Sequence, residues 1–492
     1  MNDRPTTSPP SKPTASGDFY QQGLSLLEQR RFNEAAATLG RAYALLPNQP
    51  ALGIKLGAAL MHKGDAPQAV AILASIANQH PYLVEAHGML ANAHALCGQW
   101  EPAVASFHRA LELAPNLAVA HFGLGAALAH QGKVKQSIAA FRAALRLNYP
   151  AAHCNLGVAL ALVGELDEAA AELRKAISFN PDDATAHWNY AILKLLQGEW
   201  RDGWLEYEWR WRWNLFPSAR RNFGQPAWRG EDIEGRTLLL HAEQGFGDTI
   251  QFIRYLPLLA SRGARVIVEC QAELFDLFQQ VPGPQQWVRA GEALPTFDAH
   301  CPLASLPGLF GTTPQSIPPQ VPPLSAPPDR LAFWQAKLGP PDGRRRVGLA
   351  WAGRSTFLGD HTRSLHLSQL RGVLAIEGIQ FYSLQKGPAA AQVKQLAAAQ
   401  VIDLGSDFGD FADTAAVMSL CDLIVTTDTS VPHLAGAMGR PVWVMLQYVP
   451  DWRWLLNRDD SPWYPSARLF RQTSLGDWNG VISRVAQAIT NP

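Results

Sequence analysis

Two stretches of the chain combine acidic, hydroxyl and small residues in a way that could grip an anion and move a proton. The first is Asp428-Thr429-Ser430, which follows the apolar, branched run Asp422 to Val425 and precedes a second apolar run, Pro441 to Leu446. Runs of this kind read as buried parallel strands, with one short helix between them. Side chains of Asp428, Thr429 and Ser430 can cap that helix while free backbone N–H groups point outward. A helix start at the carboxyl end of a parallel strand is a phosphate site in waiting. Gly436 and Gly439 suit a helix packed tightly on the sheet and closed by a left-handed cap. The second stretch is Gln244-Gly245-Phe246-Gly247-Asp248, after the apolar run Arg236 to Glu243. Here Gly245 and Gly247 let the backbone turn sharply and approach a ligand. Asp248 stands at the carboxyl edge of its strand, where it serves either as a helix cap or as a group facing a cleft.

Positive charge follows a third strand-like run, Arg346 to Gly353, in Arg354 and then Arg363. Fixed cations with N–H dipoles at one place favour a group that carries or gains negative charge. Lys386, in the turn Gln385-Lys386-Gly387, and the start of the helix at Phe411 are candidate nucleotide contacts, and His433 lies on the helix after Asp428-Thr429. No D-x-D follows a strand, so no divalent metal and no cofactor is called for.

The spacing Asp428-Thr429, His433-Leu434-Ala435, Ala437, Gly439 and Pro441 resembles the D-T-x-x-x-H-L-A-x-A-x-G-x-P diphosphate loop of the heptosyltransferase-like glycosyltransferases, family 9. Pro432 stands where that family usually has a small residue, in a first helical turn that tolerates a missing N–H. The resemblance covers nearly all of Arg236 to the C-terminus. It implies the GT-B fold, two Rossmann-like domains facing a cleft, and a nucleotide-sugar as co-substrate. It makes Asp248 the general base on an acceptor hydroxyl. It sets Asp428, Thr429, Ser430, His433, Arg363 and Arg354 at the donor diphosphate. Heptosyltransferases proper carry a Lys before the first loop, where this chain has His241 and Glu243, a departure on the acceptor side.

These residues need elements to hold them. Read in order, the strand from Arg236 leads through the Gly245–Asp248 loop into a helix to Ala260. Strand Arg265 to Cys270, helix Ala272 to Gln280 and strand Phe297 to Pro302 complete a first domain, 236–313. A proline-rich link, 314–328, is extended and stiff. The second domain, 329–492, has strands at Arg346, Ile379 to Leu384, Val401 to Leu404, Val425 and Pro441. Its helices run from Lys386 to about Ala399, from Phe411 to Leu420 and from Trp478 to Thr490.

The N-terminal part is self-similar. Gly23, Gly57, Gly125 and Gly157 share one position, Ala35, Ala69, Ala103 and Ala169 another, and Pro47, Pro81, Pro115 and Pro181 mark unit ends. The period of about 34 residues is the tetratricopeptide signature, an α-solenoid. Leu39, Leu73, Phe107, Phe141 and Leu173 are expected in the groove between units. Ser137 replaces the usual Ala and the chain is about two residues short before Pro150, which predicts a tightened turn there. Five full repeats and a degenerate sixth occupy 16–213, after a disordered tail over 1–15 and before a connection over 214–235. Such arrays hold peptides or helices on a concave face, or serve as spacers. Trp200, Trp204, Trp209, Trp211 and Trp213 are expected to pack at a domain junction.

Composition bounds the partners. The 492 residues carry 42 basic and 42 acidic side chains, so nothing global favours nucleic acid. Five scattered cysteines fit neither a zinc site nor a disulfide framework. No run approaches transmembrane length. The expectation is a cytoplasmic transferase whose repeats recruit a protein acceptor. A relative of the protein O-GlcNAc transferases, which also join such repeats to GT-B, and a scaffold with an inactive α/β part are the alternatives.

Overall fold

In the computed structural model, which describes residues 15–47, 49–243, 245–319, 323–356, 359–396 and 401–491, the repeat spacing becomes a row of helical hairpins. They are α1 (Ala15–Glu28) with α2 (Phe32–Leu45), α3 (Pro50–Lys63) with α4 (Ala66–Gln79), and α5 (Val84–Leu96) with α6 (Trp100–Leu113). Then come α7 (Ala118–His130) with α8 (Val134–Arg146), and α9 (Ala152–Leu162) with α10 (Leu166–Phe179). The helices of four of these hairpins close on a glycine, and those of α5 with α6 on Ala91. A Cβ on Gly23 would stand 2.5 Å from Leu39, one on Gly57 2.8 Å from Leu73, one on Gly125 2.7 Å from Phe141 and one on Gly157 2.7 Å from Leu173. Small residue and large partner are therefore a single lock. The short fourth unit is accommodated by Asn148 at φ 60 between α8 and α9. Ser137 is buried there with an unpartnered hydroxyl. The tail expected over 1–15 lies outside the described residues up to position 14.

The chain divides into two compact units, 1–181 and 182–492. The sixth hairpin, α11 (Ala184–Leu196) with α12 (Trp200–Tyr207), belongs to the second unit and not, as its repeat spacing predicts, to the array. Its tryptophans give the reason. Trp200 stacks on Trp463 at 5.3 Å between centroids, and Trp204 meets Trp452 edge-on at 5.2 Å and donates to the Thr312 carbonyl at 2.9 Å. Trp209 instead stacks on His187, and Trp213 on Trp188, so only part of the aromatic set lies against the α/β elements.

The α/β part has two parallel sheets. The first contains β1 (Thr237–His241), β2 (Arg265–Cys270), β3 (Gln286–Arg289) and β4 (Ala299–Pro302) in the order β3-β2-β1-β4, with helices α13 (Phe246–Phe252), α14 (Leu256–Ser261), α15 (Ala272–Phe278) and α16 (Leu306–Leu309). Residues Pro226 to Trp228 of the expected connection pair with β4 at its edge through His300. The second sheet contains β5 (Arg345–Ala350), β6 (Ile379–Ser383), β7 (Val401–Asp403), β8 (Leu423–Thr427), β9 (Val442–Leu446) and β10 (Ala467–Arg471) in the order β10-β9-β8-β5-β6-β7. Its helices are α17 (Pro328–Leu338), α18 (Asp360–Arg363), α19 (Arg371–Leu374), α20 (Phe411–Ser419), α21 (Ser430–Ala437) and α22 (Trp478–Thr490). Counted along the chain, this is the doubly wound order 3-2-1-4-5-6, which reverses between β5 and β8.

Several elements depart from expectation. β3 has too few branched residues to announce itself, and α17 begins inside the proline-rich stretch, where Pro328 suits a first helical turn. The helix expected to reach Ala260 is split by a 3-10 turn at Ile253–Tyr255, ahead of Pro257. The helix expected to reach Ala399 is a 3-10 segment, Pro388–Gln395, and residues 397–400 lie outside the described ones, as do 320–322 of the link. No described helix is long and apolar enough to cross a membrane.

Gly157→Ala, whose new Cβ would also stand 3.1 Å from the Ala169 carbonyl oxygen, should cost about 1–3 kcal/mol by overpacking. Ser137→Ala should be neutral or stabilising by about 1 kcal/mol, because it removes an unsatisfied hydroxyl. Thermal or denaturant unfolding of the two variants measures both.

Candidate functional site

The carboxyl ends of β5 and β8 lie side by side at the reversal of the second sheet, with Ala350 in register with Thr426. Thr427 ends β8 buried, and its hydroxyl has no partner. Asp428 follows, also buried. Of the three residues the sequence offers as caps of α21, Thr429 takes the place, its Oγ1 accepting the Val431 N–H at 3.2 Å. Ser430, half-buried, is the first residue of α21. Burial, reinforced by Asp451 and opposed by Arg363, pushes the Asp428 carboxyl up to about 6. Arg363 reaches this place from α18, its Nε bonded to Asp360 Oδ1 at 3.2 Å. Gly353 makes room for it: a Cβ there would come 2.9 Å from Arg363 Nη2. Arg354, on the same loop, is exposed.

The first sheet presents α13 to α21. Neither Gly245 nor Gly247 has a left-handed φ, so the sharp-turn reason for these glycines does not hold. Gly247 is small because a Cβ there would stand 2.6 Å from the His433 ring. Asp248 uses its two carboxylate oxygens differently. One carboxylate oxygen, Oδ2, accepts the Gly245 N–H at 2.8 Å and closes the start of α13. The other, Oδ1, is held by Arg453 Nη2 from the loop after β9. Burial raises its pKa against the pull of Arg453. Arg453 also gives Nη1 to Asp451 Oδ1 at 2.9 Å and Nε to Gln251 Oε1 at 2.7 Å. Against the cost of its burial, Asp451 and Asp248 hold this guanidinium cationic.

The remaining candidates are engaged in packing or in backbone contacts. His433 pairs its Nδ1 with the Tyr464 hydroxyl at 3.0 Å and lies over Trp454 at 5.5 Å. Burial, with Arg453, Arg254 and Arg363 nearby, keeps its imidazole neutral. Gln385 accepts the N–H groups of Trp351 and Ala352 at 3.0 and 2.9 Å and donates to the Ala352 and Lys386 carbonyls at 2.9 Å each, so this amide clamps β5 to β6 and is spent as a nucleotide contact. Lys386 donates to the Phe408 carbonyl. Phe411 meets Phe246 of the other sheet's loop at 4.9 Å.

Four charged residues of this region went unnoticed in the sequence as site residues: Arg453, Asp451, Arg254 and Arg210. Arg210, with no exposed side-chain surface, follows α12 and forks onto Glu243 just after β1, at 2.9 Å. Burial pushes the Glu243 carboxyl up to about 7 against the pull of Arg210. The legible signal for Arg453 was Asp451-Trp-Arg-Trp454 directly after a strand end. Among the described residues no cluster fit to hold a metal ion is present. A cavity of about 580 Å³ lies elsewhere, between β10 and α22, lined in part by Arg468, Arg484 and Gln487.

Comparison with known proteins matches the repeats to a family and nearly the whole chain to one relative. Tetratricopeptide repeat models match residues 26–93, 91–132 and 162–198, and the N-terminal hairpins α1 to α10 form a tetratricopeptide-like solenoid. Protein FlbA of Caulobacter vibrioides is 27% identical over 533 aligned positions, spanning 96% of this chain and 82% of that one. Among solved structures, a thermophilic TPR protein of Thermus thermophilus aligns with 37% of this chain and all of its own (23% identity, TM-score 0.33). MamA of Desulfovibrio magneticus aligns with 34% of this chain and 97% of its own (20% identity, TM-score 0.32).

A carboxyl raised on folding makes the native state the stronger proton binder. For Asp428, stability should therefore fall as pH rises from its ordinary 3.8 through about 6. Melting temperature measured across that range should show the slope in the wild type and a flatter profile in Asp428→Asn.

Proposed function

We propose that the α/β unit is a heptosyltransferase-like glycosyltransferase of the GT-B type, which moves a sugar from a nucleotide-sugar to an acceptor in the cytoplasm. The acceptor is a protein recruited by the tetratricopeptide solenoid, whose repeats support a protein-interaction role. One observation carries the reading. The D-T-S-V-P-H-L-A-G-A segment lies at the reversal of a doubly wound sheet, with Thr427, Asp428 and Arg363 gathered at the start of α21 and Asp248 presented by the other sheet. Ligands of such sheets bind at this crevice.

In the reaction, the acceptor oxygen forms a bond to the anomeric carbon as the bond from that carbon to the diphosphate breaks. The acceptor's proton passes to Asp248, and the nucleoside diphosphate leaves with the bonding electron pair. Attack opposite the leaving group inverts the anomeric centre. Arg363 and the N–H groups at Thr429-Ser430 stabilise the departing charge. No step calls for a metal.

A second reading, a scaffold whose α/β unit is inactive, is favoured by the state of Asp248: both oxygens are already bonded, and His433 fills the space over Gly247. Thermal melting with UDP, GDP, dTDP and CDP and their sugar conjugates separates the two. A ligand at about 100 times its Kd stabilises the folded state by about 2.7 kcal/mol, so the transferase should melt higher with at least one nucleotide. Absence of any shift favours the scaffold. With the donor found, Asp248→Asn should bind it and fail to transfer, whereas Arg363→Ala should bind it about tenfold more weakly, the loss of one charged contact.

A further inference from the structure

We propose that Arg453 is a ligand of the diphosphate, and that it reaches the diphosphate only by leaving Asp248, so that one guanidinium keeps the base occupied until the donor is in place. This rests on the transferase reading above. Arg453 sits in the 3-10 turn Trp452–Trp454, which follows β9, the neighbour of β8 and Asp428 in the sheet. Asp451 opens that turn by accepting the Arg453 N–H at 3.0 Å and also holds Nη1 at 2.9 Å. The arginine is thus tied to its own loop twice by one carboxylate.

Its bond to Asp248 is of another kind, made across the crevice to a residue 205 positions away. Trp454, the next residue of that turn, stacks on His433 of α21 at 5.5 Å, and the His433 ring covers Gly247, the neighbour of Asp248, so Arg453 lies beside α21. A diphosphate at the start of α21 would bring more than one negative charge to that volume. Nη2 carries two N–H groups, but a phosphate oxygen on one would lie against the Asp248 carboxylate on the other, and two anions on one nitrogen repel each other. The contact within the loop can persist while the cross-crevice contact is exchanged. Asp248 would keep the Gly245 N–H that positions it and lose the cation that now occupies its other oxygen.

The surroundings suit such an exchange. Arg254, buried close to His433, donates to the Gln251 carbonyl at 2.9 Å and the Trp463 carbonyl at 3.0 Å and lies beside the Tyr464 hydroxyl, with no carboxylate among the described residues to balance its charge. Gln251, which now accepts from Arg453 Nε, has an unpartnered Nε2. The crevice therefore holds donors in excess of acceptors around Arg453, as a site for an added anion requires.

The experiment is a double-mutant cycle on diphosphate affinity, measured by calorimetry on the full chain with UDP, GDP, dTDP, CDP and inorganic pyrophosphate. Because Asp248 competes for Arg453, Asp248→Asn should bind diphosphate about tenfold more tightly than wild type. Arg453→Met should bind about tenfold or more weakly, and Arg453→Lys should recover part of the loss. In Asp248→Asn/Arg453→Met the gain should vanish. A gain that survives in the double variant would mean that Asp248 merely repels the anion, and overturns the exchange. Wild-type binding with no gain in Asp248→Asn overturns the exchange and leaves the transferase reading standing. No binding to either protein overturns both.

Discussion

Two arginines taken out of water are met by carboxylates, and these pairs tie the second unit together. Arg453 joins Asp451 of its own loop to Asp248 of the other sheet. Arg210 joins the end of the last hairpin to Glu243 beyond β1 and to the Ser305 hydroxyl. Removing one partner from a buried pair leaves an uncompensated charge, a loss of about 3–5 kcal/mol. The two sheets and the hairpin are thereby fixed in one arrangement, because any other would strand a charge.

The aromatic residues around these pairs keep the charges strong. Trp200, Trp204, Trp452 and Trp463 meet mainly edge-on and in offset stacks, the geometries that ring quadrupoles favour. They exclude water from the side of Arg453 and Tyr207, and at lower effective dielectric each ion pair interacts more strongly. A helical hairpin with the spacing of a repeat has become part of the α/β unit because its apolar face is aromatic and its last turn carries a cation.

The same desolvation tunes the crevice chemically. Asp428 is raised by burial beside Asp451, Asp248 is raised by burial against Arg453, and His433 is kept neutral among three arginines. Burial moves each group toward its neutral form, the carboxyls upward and the imidazole downward, while Arg453 stays cationic between Asp451 and Asp248.

The sequence by itself determined the elements. Small residues and large apolar partners at a fixed repeat distance dictate the hairpins, since the crossing admits glycine at four places and alanine at one. Apolar branched runs ending in Asp428-Thr429-Ser430 and in Gly245–Asp248 dictate parallel strands followed by helix starts, so both halves of the site were legible. Short β3 was not, and neither was the break before Pro257 weighed against the apolar pattern around it. Only the tertiary structure decided what each polar residue touches: that Gly247 yields space to His433, that Gln385 is consumed by backbone, and that Asp248 is bound by Arg453. Local periodicity reports which face of an element is buried. It is silent about which element will lie against that face, and a charge pair spanning 205 positions exists only once two sheets have met.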